Sequence, residues 1–106
     1  MPRNKYGAVK TCIGDEVFAS KAEAFAFLAL RQRQKNGEIS LLKCQPRYPL
    51  TVNGVCIGHY VADFSYLEGG DEVAHEVKGH ETALWRWKKK HFLAEYRNIE
   101  LRIVKA

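Results

Sequence analysis

The chain has 106 residues, 46% of them hydrophobic and 27% charged, with 17 Lys and Arg against 12 Asp and Glu and a formal net charge of +5. That length fits one domain, and the apolar fraction excludes disorder along the whole chain. No apolar run approaches the roughly 18 residues that span a bilayer and no signal-peptide core opens the chain, so a single cytoplasmic domain with no membrane partner is expected, its basic excess suited to nucleic acid or simply to solubility.

Residues 1–10, with Arg3, Lys5 and Lys10, are basic and lack periodicity, and read as a flexible arm; the core is expected over about 18–105. Ser20 followed by Glu23 is an S-x-x-E helix start. Lys21 to Lys35 is rich in Ala, Leu, Lys, Gln and Arg, all good helix formers, and Asn36-Gly37 supplies the end. On a helical wheel Glu23, Phe27, Leu30 and Gln34 share one stripe, so Glu23 is expected to point inward with apolar neighbours. From Glu38 to Val52 the chain reads as an extended segment broken by Pro46 and Pro49, with a turn at Asn53-Gly54. Val55 to Leu67 reads as one strand, Gly69-Gly70 as a turn and Glu72 to Lys78 as the returning strand. After Gly79, Glu81 to Tyr96 is a second helix, and Ile99 to Val104 a last strand. The order is helix, three strands, helix, strand: an α/β or α+β domain with a mixed sheet flanked by helices.

On the second helix, Leu84, Trp85, Phe92, Leu93 and Tyr96 cover one half of the wheel. Lys88 and Lys89 fall inside that half, Arg86 and Lys90 lie just outside it, and Trp87 faces the other way. Cys12, Cys44 and Cys56 have no paired spacing, and with His59, His75, His80 and His91 they form no zinc motif; they read as small buried thiols.

The chemistry lies in the hairpin around Gly69-Gly70. A tight turn there sets Glu68 opposite Asp71, Tyr66 opposite Val73 and Asp63 opposite Glu76. Strand alternation puts Glu76 and Lys78 on one face and His75 on the other. Directly opposed residues have Cβ atoms about 4.5–5.5 Å apart, and like charges there destabilise a sheet. Two such carboxylates need a proton, a cationic neighbour or a divalent metal, and hard oxygen ligands suit Mg²⁺ or Mn²⁺. Lys78 adds an ammonium beside them, able to orient or activate water or to stabilise a phosphorane-like transition state. The bland alternative is a surface hairpin whose three charges form a solvated cluster; against it, the acids interrupt apolar runs.

Ala62-Asp63-Phe64 followed by Glu76-Val77-Lys78-Gly79 resembles the PD-(D/E)XK nuclease superfamily, whose restriction-endonuclease-like core has the same order of elements. With Phe18 to Glu23 and Gln45-Pro46, the text resembles a small, mostly phage-encoded branch; Ala62 stands where the superfamily's name has proline. The resemblance implies that Asp63 and Glu76 bind Mg²⁺ or Mn²⁺, that the Val77 carbonyl completes the shell and that Lys78 positions or activates the attacking water. It implies a supporting carboxylate from Glu23, which alone reads as the capping partner of Ser20. It also implies contacts to DNA from Lys88, Lys89, Arg86 and Gln45. The expected activity is metal-dependent endonucleolytic cleavage of DNA, structure-selective or weakly sequence-specific, in phage DNA metabolism within the host cytoplasm, by a monomer or homodimer. The rival expectation is a non-catalytic nucleic-acid-binding module or scaffold that retains the nuclease fold.

Overall fold

The computed structural model describes residues 11–13 and 16–106, so the basic arm expected over 1–10 lies outside the described residues. Two short strands, β1 (Thr11–Ile13) and β2 (Glu16–Phe18), pair antiparallel and lead into α1 (Lys21–Lys35). The Ser20 hydroxyl accepts from the Glu23 N–H at 3.2 Å, and the Glu23 carboxylate accepts from the Ala19 N–H at 3.2 Å, so each satisfies a backbone donor the helix leaves unpaired. The helix stops at Asn36, and Gly37 follows at φ 77°, a conformation that glycine adopts without a Cβ clash. Ala24 and Leu30 are buried and Phe27 half-buried. Gln34, expected on the same inward stripe, is exposed, and its side chain accepts from the Leu42 N–H, in the strand that follows, at 2.8 Å.

Five strands, not three, lie between the helices: β3 (Ser40–Cys44), β4 (Arg47–Val52), β5 (Val55–Val61), β6 (Phe64–Glu68) and β7 (Asp71–Lys78). The extended segment after Glu38 divides at Gln45-Pro46, and the single strand expected over Val55 to Leu67 divides at Ala62-Asp63. The cause is that β4 and β5 pair with each other across Asn53-Gly54 as a separate two-stranded sheet, so the chain must leave the main sheet and re-enter it. The two crossing points are tied together. The Gln45 N–H donates to the Asp63 carbonyl at 2.8 Å, and the Ala62 N–H to the Pro46 carbonyl at 3.2 Å.

After β7 come α2 (Ala83–Glu95) and β8 (Glu100–Lys105). The main sheet has the order β3-β6-β7-β8, antiparallel except for the parallel pair β7–β8 that the α2 crossover makes necessary. Counted through this sheet alone, the fold keeps the helix, three strands, helix, strand order, with the β4–β5 hairpin inserted. It is a mixed α+β fold. Gly69 and Gly70, at φ 61° and 87°, close the β6–β7 turn, and the register runs from Glu68↔Asp71 to Phe64↔His75 as expected. The second helix begins at Ala83 rather than Glu81 because the Thr82 hydroxyl accepts from the Trp85 N–H at 3.0 Å and fixes the cap there.

The sheet carries a core on each face. Phe18, Ala24, Leu30, Phe64, Tyr66 and Val73 pack under α1. On the other face Tyr48, Leu50, Tyr60, Ala74, Trp85 and Phe92 join the hairpin to α2. Phe92 is fully buried, with ring centroids of Tyr60, Tyr48 and Tyr96 at 4.8, 5.0 and 5.0 Å. The buried stripe of α2 is narrower than the wheel suggested: Trp85 and Phe92 are buried, whereas Leu84 and Leu93 are exposed. Cys56 is exposed and Cys44 half-buried, so the expectation of buried thiols fails for Cys56, which sits near the start of β5 beside the Asn53-Gly54 turn. No helix among the described residues is long and apolar enough to cross a membrane.

Candidate functional site

β6 and β7 are the two inner strands of the sheet, and their ladder ends at Phe64↔His75. One residue further on, the chain kinks at Asp63, and side chains replace the missing backbone pairing. The Asp63 N–H donates to Glu76 Oε1 at 3.1 Å, and the Val77 N–H donates to Asp63 Oδ2 at 2.7 Å. Each carboxylate therefore satisfies a backbone donor on or beside the other's strand, and the two acids are fixed at the same end of the sheet.

Glu76 is only 3% exposed. Its Oε2 accepts from the Trp85 indole N–H at 3.2 Å and lies 3.8 Å from the Lys78 ammonium. The same indole N–H reaches the Tyr60 hydroxyl at 3.3 Å. Lys78 Nζ stands 4.5 Å from the centroid of the Trp85 ring and Lys89 Nζ 5.4 Å from it, close enough for cation–π attraction. The edge of one buried indole thus holds the carboxylate while its face gathers two ammonium groups. Glu23 comes from α1, near enough to Asp63 for a side-chain hydrogen bond. A cavity of about 330 Å³ lies beside Glu23, Val77 and Lys78.

The electrostatics follow from this crowding. Burial, and then the charges of Glu76 and Glu23, push Asp63 well above the ordinary carboxylate range; the Val77 N–H bond opposes them. Glu76 is also raised by burial, against the pull of Lys78, the indole N–H and the Asp63 N–H. Burial and the neighbouring Glu76 hold the Tyr60 hydroxyl in its neutral form. The site has more carboxylate than its one adjacent ammonium offsets, and it is stabilised by a proton or a cation.

Asp63, Glu76, Lys78, Glu23 and the Val77 backbone come together as the sequence led us to expect, and Lys89 joins them over Trp85. Lys88 lies one step away, in the wall of a hollow of about 210 Å³ next to Trp85. Arg86 does not join them, because it turns back to the Glu81 carbonyl at 3.2 Å at the start of α2. Gln45 meets Asp63 only through its backbone; its side chain is exposed. His75 faces the other side of the sheet, where Nδ1 lies 2.8 Å from the Tyr66 hydroxyl. Sequence reasoning assigned Trp85 to the core and passed over Tyr60. The available signal was that a buried tryptophan N–H needs an acceptor.

The donors suit a hard divalent cation: three carboxylates, two of them raised in proton affinity, Asp63 by burial and the charges of Glu76 and Glu23, Glu76 by burial and the charge of Glu23. Among the described residues no three His, Cys, Asp or Glu side chains form a ready cage for a metal. Mg²⁺ needs no such cage, since it is commonly held by one or two carboxylates with water and substrate phosphate completing the shell. No curated protein and no solved structure matches the chain. A family model does match, over residues 3–106, and the chain belongs to that family, described as protein of unknown function (DUF1064).

Proposed function

We propose that the protein is a Mg²⁺- or Mn²⁺-dependent DNA endonuclease that hydrolyses phosphodiester bonds. The observation that carries this reading is the Lys78 ammonium at 3.8 Å from a buried Glu76 carboxylate that is itself bonded to the Asp63 backbone. Asp63 and Glu76 would hold the metal, with Glu23 and the Val77 backbone beside them. When bound, the metal supplies Lewis acidity toward the phosphate and offsets the carboxylate charge. Lys78, held between Glu76 and the Trp85 face, orients the attacking water or stabilises charge developing on the phosphate oxygens. Trp85 acts through both partners, fixing the Glu76 carboxylate with its N–H and Lys78 with its ring. Lys88 and Lys89 add charge attractive to the DNA backbone.

The purified protein should nick or cut DNA with Mg²⁺ or Mn²⁺. Lys78→Ala, which removes a partly exposed side chain, should reduce cleavage by at least roughly a hundredfold while leaving the circular dichroism spectrum unchanged. Undiminished cleavage by the Asp63→Ala, Glu76→Ala and Lys78→Ala variants would overturn the assignment.

A further inference from the structure

A groove runs from the candidate site along the seam between β5 and α2. It consists of two hollows, of about 210 and 180 Å³, that share Leu84 and Lys88 as walls. Trp85, whose N–H holds Glu76, lines the first; Trp87, 74% exposed, lines the second. Ile57 and Leu84 are also largely exposed there. Gly58 lines the second hollow, and a Cβ built on it meets no atom within 4 Å. The groove is therefore an open apolar channel that starts at Trp85, whose N–H edge holds Glu76, and ends on an uncovered indole.

Its electrostatics select the occupant. No acidic side chain lines either hollow, whereas Lys88 stands between them with His59 and His91 at their margins. The helix that forms one wall carries Arg86, Lys88, Lys89 and Lys90, against a single acid, Glu95, whose carboxylate is engaged by the Thr51 N–H and hydroxyl at 2.7 and 2.6 Å. An open aromatic face beside cations along a groove is what an unpaired nucleotide strand requires: a base stacks and phosphates pair. A duplex keeps its bases stacked internally and offers nothing to Trp87. We infer that this groove holds an unpaired DNA strand, with a base stacked on Trp87 and a phosphate at Lys88, and so directs the enzyme to DNA with single-stranded tails or branches. The inference rests on the nuclease reading only in taking DNA as the ligand, since the groove binds whether or not cleavage follows.

Binding is measured in EDTA, so that cutting plays no part, by the anisotropy of fluorescein-labelled oligo(dT) and of a blunt duplex. Trp87→Ala should weaken oligo(dT) roughly tenfold, about one stacked base, and change duplex affinity less than about twofold. Gly58→Leu, which fills the second hollow from a strand position, should weaken oligo(dT) likewise. Unchanged oligo(dT) binding in both variants, or equal losses for both DNAs, would overturn the inference. Sedimentation that finds a wild-type dimer dissociated by Trp87→Ala would also overturn it, assigning the groove to a second copy of the chain. Trp87-dependent oligo(dT) binding by a protein that cuts no DNA would support the groove and overturn only the catalytic reading.

Discussion

Asp63 shows how the site stores charge. An aspartate at a strand kink would ordinarily face water; here its carboxylate turns inward to accept the Val77 N–H and meets Glu76 and Glu23. A carboxyl with higher proton affinity in the folded than in the unfolded chain takes up a proton on folding. Stability of the metal-free protein therefore falls as pH rises from the ordinary carboxylate value of roughly 4 through the raised one. Asp63→Asn keeps an oxygen for the Val77 N–H and removes the charge. It should raise the metal-free melting temperature at pH 8 by several degrees, corresponding to about 1 kcal/mol in a domain of this size, and by progressively less toward pH 4. Thermal melts of both proteins in EDTA across that range check it; a variant less stable at pH 8 would show that the negative charge itself stabilises the fold. Trp85 is the other decisive residue, joining Glu76 to Lys78 in a way that no helical wheel reveals.

At the scale of elements, the β4–β5 hairpin is held to α2 by Phe92 within its ring of tyrosines, by the Tyr96 hydroxyl donating to the Pro49 carbonyl at 2.6 Å, and by the Thr51 N–H donating to the Glu95 carboxylate at 2.7 Å. Phe92→Ala should cost about 3–5 kcal/mol, read by urea unfolding, since a fully buried aromatic ring leaves a cavity that its neighbours only partly fill. A loss below about 1 kcal/mol would mean that the hairpin does not depend on α2. The helices, the Gly69-Gly70 turn and the β6–β7 register were legible in the sequence because capping residues and paired glycines act locally. The hairpin's separation from the main sheet was not, because Val55 to Leu67 is dense in strand-forming Val, Ile, Tyr and Phe and the crossover at Ala62-Asp63 carries neither proline nor glycine. The strand kink is set by tertiary pairing, in the bonds from Gln45 to Asp63 and from Ala62 to Pro46.

Across the whole molecule, charge is sorted by face. On the α1 side, Arg33 from the helix and Arg102 from β8 converge on Glu68 at 2.6 and 3.2 Å, tying three elements together and holding Glu68 down to about 2. A depressed carboxyl stabilises the fold above its unfolded value of roughly 4.3, and that contribution is lost as pH falls through 2. Glu68→Gln should therefore flatten the acid limb of the stability curve between about pH 4 and 2, as read by unfolding followed in that range; an unchanged limb would place acid sensitivity elsewhere. At one end of the sheet Glu23 from α1 joins Asp63 and Glu76, and the lysines of α2 gather along the helix beside them. The nearness of Asp63 and Glu76 was legible because the hairpin register, carried one residue past Phe64↔His75, brings them level; the ladder itself stops short of them and side-chain bonds complete it. The indole clamp and the groove arise from helix placement, which no local pattern specifies. On the function we propose, the carboxylates of Asp63, Glu76 and Glu23 are gathered to hold a divalent cation. Calorimetric titration of Mn²⁺ into the metal-free protein tests it most directly: the wild type should bind and Asp63→Asn should not, whereas no heat of binding at millimolar Mn²⁺, or equal binding by the two proteins, would contradict it.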